Sequence, residues 1–214
     1  MNEHVPTAPG LRERKKDATR RALSEAALSL TIEHGLSQVL VEDIASAVGV
    51  SRRTFSNYYS SKEEAVVAAV HARIFQLPPA LAARPPEETV WQALDAVVAE
   101  HLPEDTDLQA WGRMVRLLTR TPVLAAARLQ MFAALEEPLS QQIASRTGTD
   151  VRADLYPRLT AAAVTCAIRL SVDQWLADGM TGCVTTAVRQ AVAHLAAGLG
   201  TPHAPVIAAR SCPV

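Results

Sequence analysis

Apolar residues recur along most of this chain with the period of a helix, and prolines and glycines interrupt the pattern at intervals. The first such segment covers residues 14–34. Leu23, Ala26, Ala27, Leu30 and His34 share one face of it, and Gly35 stands where a left-handed residue ends a helix. A short helix over 41–48 would bury Ile44, Ala45 and Val48. Gly49 and Val50 then turn the chain, and Ser51 caps a third helix reaching Tyr58. Ser61 caps a fourth, which begins at Lys62 and fades near Pro78 and Pro79. After Pro85 and Pro86 the pattern predicts helices over 87–101, 105–121, 122–147, 153–178 and 183–199. Pro122 suits a first helical position. Pro138 falls inside its helix, so that helix either kinks or is two. About nine helices and no strand make the chain all-α. Residues 1–10 and 201–214 carry prolines without periodicity and read as a flexible arm and tail.

Composition narrows the picture. A length of 214 residues fits one large domain or two small ones. Hydrophobic residues are 49% of it and aromatics only 4%, so alanine, leucine and valine must fill the core. The formal net charge of −1 carries no global signature of a nucleic-acid binder. Residues 11–21 differ: Arg12, Arg14, Lys15, Lys16, Arg20 and Arg21 face only Glu13 and Asp17, a local balance of +4. The strongly apolar stretches are read as broken by Arg, Asp or Glu before the roughly 18 residues a membrane span needs. The N-terminus lacks the order of a signal peptide. Cys166, Cys183 and Cys212 are too few and too scattered for a disulfide framework or a zinc site. A cytoplasmic protein with neither metal nor cofactor is the expectation.

The informative stretch is 11–65. Two short helices joined by A-V-G-V-S, the second opening on a serine cap, are the arrangement that sets a recognition helix in a DNA major groove. In S-R-R-T-F-S-N-Y-Y, Phe55 would anchor the helix while Ser51, Arg52, Arg53, Thr54, Ser56 and Asn57 offer donors and acceptors. Arginine pairs bidentately with guanine and asparagine with adenine, which is what reading bases requires. Tyr58, Tyr59 and Lys62 follow at the far end, where hydroxyl and ammonium groups can hold phosphates, and Lys16 in the basic run can track the DNA backbone.

These residues carry a resemblance. The pieces A-L-S-E-A-A-L-S-L-T-I-E-H-G-L and V-E-D-I-A-S-A-V-G-V-S-R-R-T-F-S-N-Y-Y-S-S-K-E-E resemble the DNA-binding head of the TetR (tetracycline-repressor) family of bacterial transcription regulators. The resemblance covers about a quarter of the chain. It implies a homodimer on an inverted-repeat operator of double-stranded DNA, usually repressing, released by a small molecule held in a helical C-terminal domain over 66–200. Two positions depart from the family pattern. Leu40 stands where many members place a threonine that caps the second helix and touches phosphate, and Thr31 replaces a common aromatic, with Ile32 available to fill the core.

In the C-terminal part, Trp91, His101, Trp111, Met114, Met131, Phe132 and Trp175 are the candidates to line a cavity for a largely apolar effector. Each of them also serves as plain core filling. Val164, Ile168 and Val172 on the eighth predicted helix, and Val188, Val192 and Leu195 on the ninth, would pair across a two-fold axis into a four-helix dimer interface, or pack within one subunit. Two rival functions stand beside the ligand-released regulator. One is a DNA-binding regulator that senses a protein partner or redox state. The other is a helical-bundle enzyme, against which the chain shows no H-E-x-x-H, E-x-x-H pair, Walker loop or G-x-S-x-G.

Overall fold

The structure, a computed structural model, describes residues 10–102 and 108–199, so the expected tail and all of the arm but Gly10 lie outside it. Among the described residues there are ten α-helices and no strand. The chain divides into two units, Met1–His71 and Ala72–Val214, and the boundary falls inside a helix rather than at 65/66.

The first unit holds α1 (Leu11–His34), α2 (Val41–Val48), α3 (Arg52–Ser56) and most of α4 (Lys62–Ile74). α1 packs on α2, and α2 on α3. Leu23, Ala27, Leu28, Val39, Ile44, Phe55, Ala65 and Val66 are almost wholly buried between them. The buried face of α1 is rotated from the expected one: Leu28 and Thr31 lie inside and His34 is exposed. Thr31 fills the aromatic position by donating its hydroxyl to the Ala27 carbonyl at 2.6 Å, so no polar group is orphaned in the core.

The second unit holds α5 (Leu77–Ala83), α6 (Val90–His101), α7 (Leu108–Arg120), α8 (Pro122–Thr147), α9 (Leu155–Ala177) and α10 (Val184–Ala196). α5 was not expected. Pro78 and Pro79 read as breakers, yet they sit in its first turn, where no backbone N–H is needed. α6 begins three residues later than expected, because Thr89 and Gln92 form a reciprocal capping box there. α8 is one helix through Pro138.

α8 packs against α9, and α9 against α10, around Leu124, Leu135, Leu139, Ile143, Val164 and Val188. Near the C-terminus of α8, Arg146 donates to the carbonyls of Leu81, Arg84, Pro85 and Glu88 at 2.7–3.1 Å, tying α5 and the proline-rich turn to it. α6 and α10 are joined by the bidentate Asp95–Arg189 pair at 2.7 and 2.8 Å, whose hydrogen bonds hold the Asp95 carboxyl below its ordinary range.

One sequence reading needs correction. The segment Lys62–Ala83 is, by length and composition, long and apolar enough to cross a membrane. It is broken between α4 and α5, however, and buries Ala65, Val66, Ala69, Val70 and Leu81 in the protein's own cores.

Candidate functional site

The turn between α2 and α3 is fixed by local bonds. Gly49 takes φ +71°, a left-handed conformation that costs glycine little. Its N–H bonds to Ser46, and that of Val50 to Ala45 at 2.9 Å, closing α2. Ser51 Oγ then accepts the Thr54 N–H at 3.1 Å, capping α3 as its sequence position required. At the start of α2, Leu40 offers no cap, but Asp43 Oδ2 accepts the Leu40 N–H at 2.8 Å and supplies the other half of a capping box. The sequence reading missed Asp43; its signal was an acid three residues past the cap position.

Phe55 faces inward at 1% exposure, while Ser51, Arg52, Arg53, Ser56 and Asn57 are exposed and Thr54 and Tyr58 half-buried. The five-residue α3 thus turns its charged and amide groups outward around one buried ring. Asn57 stands at its C-cap, so the helix stops short of Tyr58. Arg52 meets Glu42 of α2 at 2.9 Å, with both side chains mostly in solvent. Lys16 is exposed on α1, as are Arg12, Arg14, Lys15, Arg20 and Arg21.

Two of the expected phosphate contacts carry structural bonds, Tyr59 wholly and Lys62 in part. Tyr59 is 3% exposed. Its hydroxyl donates to the Arg20 carbonyl at 3.0 Å, and its ring lies under the Arg20 guanidinium at 5.4 Å. Nothing of it remains for a phosphate. The Lys62 ammonium donates to the carbonyls of Leu36 and Val39 at 2.6 and 2.8 Å, stitching α4 to the α1–α2 turn. One of its three protons is left uncommitted. Just beyond, Ser60 donates through both its hydroxyl and its backbone N–H to Glu64 at 2.7 Å, which holds that carboxyl below its ordinary range.

In the second unit the expected cavity residues scatter. Trp111 and Trp175 pack together with centroids 5.6 Å apart. A Cβ at Gly112 would collide with Met180 and press on Trp175, so Trp175 is tight core with Trp111 half-buried against it, and Trp175 Nε1 donates to the Gly182 carbonyl at 3.1 Å. Met114, Met131 and Phe132 are buried too, and Trp91 half-buried. His101 is exposed and bonded to its own helix at Val97 O.

A cavity of about 390 Å³ lies elsewhere, between α7, α8 and α9, and none of these seven residues lines it. Its walls carry Arg116, Arg120, Arg128 and Asp173 beside Leu129 and Leu176. Sequence reasoning missed it. The signal was Arg128, a charge on the apolar stripe Leu124, Met131, Leu135 of α8.

The expected dimer residues Val164, Ile168, Val172, Val188 and Val192 are all buried within the one chain, and Leu195 is half-buried, because α9 packs on α10 through them. They are not a free face. The opposite side of α9 is: Leu155, Leu159 and Leu170 are 69%, 60% and 54% exposed, with the half-buried Cys166 on the same stripe.

Comparison with known proteins covers both units. Residues 23–69 match the family described as bacterial regulatory proteins, tetR family, and residues 84–200 match the MftR C-terminal domain. The chain is similar to the HTH-type transcriptional regulator TcmR of Streptomyces glaucescens, 34% identical over 80% of this chain and 79% of that one. Among solved structures it resembles SmeT in complex with triclosan, at TM-score 0.59 and 18% identity over 92% of this chain and all of that one. SmeT is the repressor of the Stenotrophomonas maltophilia multidrug efflux pump SmeDEF. It also resembles the repressor FadR of Thermus thermophilus in complex with lauroyl-CoA, at TM-score 0.52 and 25% identity over 88% of this chain and 98% of that one.

Proposed function

The chain belongs to the TetR family of bacterial regulatory proteins and is a DNA-binding transcription regulator, and from that premise we propose that it represses as a homodimer on an inverted-repeat operator and is released by a small molecule. Its relatives are regulators and not enzymes, which removes the enzyme reading. The observation that carries the proposal is the capped α3, whose exposed Arg52, Arg53, Ser56 and Asn57 surround the buried Phe55. Such a helix enters a major groove with its side chains at base edges. Arg52 and Arg53 are the guanine readers, Asn57 an adenine reader, Ser51, Thr54, Ser56 and Tyr58 hold phosphate or sugar, and Lys16 tracks the backbone.

Two heads related by a two-fold axis would occupy successive major grooves about 34–36 Å apart, which makes the operator a palindrome. The leucine stripe Leu155, Leu159, Leu170 on α9 supports the second copy, since three large apolar side chains on one helix face otherwise stay in water. The cavity in the second unit supports control by a small molecule over control by a protein partner or redox state. A ligand that binds better to the conformation with low DNA affinity shifts the population away from the operator. The protein then works in the cytoplasm, beside its DNA.

Selection from a randomised duplex pool tests this, run in parallel with Arg52→Ala. An enriched inverted repeat is expected, with the variant losing about 1–3 kcal/mol at one base pair. Failure of any sequence to enrich at low salt would sink the operator reading, because backbone attraction is strongest there.

A further inference from the structure

The cavity between α7, α8 and α9 gathers guanidinium groups whose donors are not taken up. Elsewhere in the second unit Arg84 is committed to Glu88 and Glu100, Arg146 to four carbonyls and Arg189 to Asp95, while Arg113, Arg152 and Arg158 stand exposed on the surface. At the cavity, Arg116 and Arg120 have neither an ion-pair nor a hydrogen-bond partner among the described residues. They stand one turn apart on α7, on the same face. Arg128, 8% exposed, reaches in from α8 with its guanidinium 5.5 Å from the Phe132 ring centre.

Arg128 Nη2 is 2.9 Å from Asp173 Oδ1, but the contact lacks hydrogen-bond alignment, and Oδ1 is a buried oxygen without a hydrogen-bond partner. The Arg128 guanidinium therefore has donor capacity that Asp173 does not take up. Three guanidiniums meet one carboxylate, which Arg169 also approaches at 3.8 Å, and the carbonyl end of α9 adds only a partial negative charge. The surplus stays positive. Around it the wall is apolar: Ala125, Leu129 and Leu176.

We propose that this cavity binds an amphipathic acid, with a carboxylate or phosphate-monoester head held by Arg116, Arg120 and Arg128 and an apolar body against Leu129 and Leu176. The proposal rests on the ligand-release reading above and names the chemical class of the ligand. A planar guanidinium matches both heads bidentately through charge-assisted bonds. Before a ligand arrives, Arg128 is stacked and partly neutralised, which lowers the cost of keeping a buried cation. An uncharged apolar molecule of the same size would leave the arginine donors desolvated and unpaired.

The test uses the full chain and three probes of equal length: decanoate, decyl phosphate and decanol. Binding is followed by calorimetry at low and high salt, for wild type and for the double variant Arg116→Gln, Arg120→Gln. Both positions sit on the cavity wall without partners, and unchanged thermal unfolding would show that the variant folds. Decanoate and decyl phosphate are expected to bind at least about tenfold more tightly than decanol, and to lose about tenfold in the variant and on adding salt, with decanol unaffected. Which acid binds more tightly separates a carboxylate ligand from a phosphate one. Equal affinity for decanol, undiminished acid binding by the variant, or no binding of either acid would each overturn the proposal.

Each probe is also added to the complex with the selected duplex. Acids that bind through the arginines yet leave the duplex in place would uphold the anion site and sink the ligand-release reading. Release by decanol as readily as by the acids would do the reverse.

Discussion

Two arginine–carboxylate contacts of the same length, 2.9 Å, sit in opposite circumstances. The side chains of Arg52 and Glu42 in the head are 70% and 53% exposed, whereas those of Arg128 and Asp173 in the second unit are 9% and 36% exposed. Water screens the first pair, so it is worth little to the fold and dissolves at small cost when a better partner arrives. The second pair is part of the interior, where removing one member strands the other. The head thus places Arg52 where stability does not depend on it. The second unit builds charge into its packing.

Four substitutions would break or sharpen that contrast. Phe55→Ala removes the buried ring beneath the outward charges and should cost about 3–5 kcal/mol in urea unfolding of the head. A loss under about 1 kcal/mol would mean that the exposed side of α3, and not its anchor, holds the helix. Arg128→Leu should cost about 2–3 kcal/mol, discounted because Asp173 is partly wet. Adding Asp173→Leu should recover most of it, and a double variant no better than the single would show that the carboxylate is not stranded. Tyr59→Phe deletes the hydroxyl bond to Arg20 and should lower stability by about 0.5–1.5 kcal/mol while leaving the salt slope of DNA binding unchanged. A slope reduced by about one would return Tyr59 to the phosphate contacts. Smallest is Leu40→Thr, which puts a capping oxygen at the start of α2 and should raise stability by about 0.5–1 kcal/mol by thermal unfolding. No gain would show that Asp43 alone already satisfies that helix end.

The same contrast explains what could be read in advance. The turn between α2 and α3 is set by groups within three to five residues, Gly49, Val50 and Ser51 above all, so a local pattern sufficed there. The all-helical fold and the exposed face of α3 followed from it. The structural bonds of Tyr59 and Lys62 were not legible because their partners, Arg20, Leu36 and Val39, lie 23–39 residues away. α5 was lost because a proline pair looks the same at a helix start as at a helix end. The dimer candidates failed by half a turn: α9 is apolar on two sides, and periodicity does not say which side α10 takes. Arg128 was passed over because its value depends on α7 and α9 converging on it, a relation no spacing within α8 encodes.

The Lys62 clamp has a chemical consequence. The chain has three lysines, Lys15, Lys16 and Lys62. Two carry their amines on the open surface of α1, while the third is held in a fork of two backbone carbonyls. An acylating reagent needs an unprotonated, accessible amine, so the folded head takes label at Lys15 and Lys16 while Lys62 reacts only when α4 lets go of the α1–α2 turn. The rate of acylation at Lys62 is therefore a clock for opening of the head, built into the chain with no probe added.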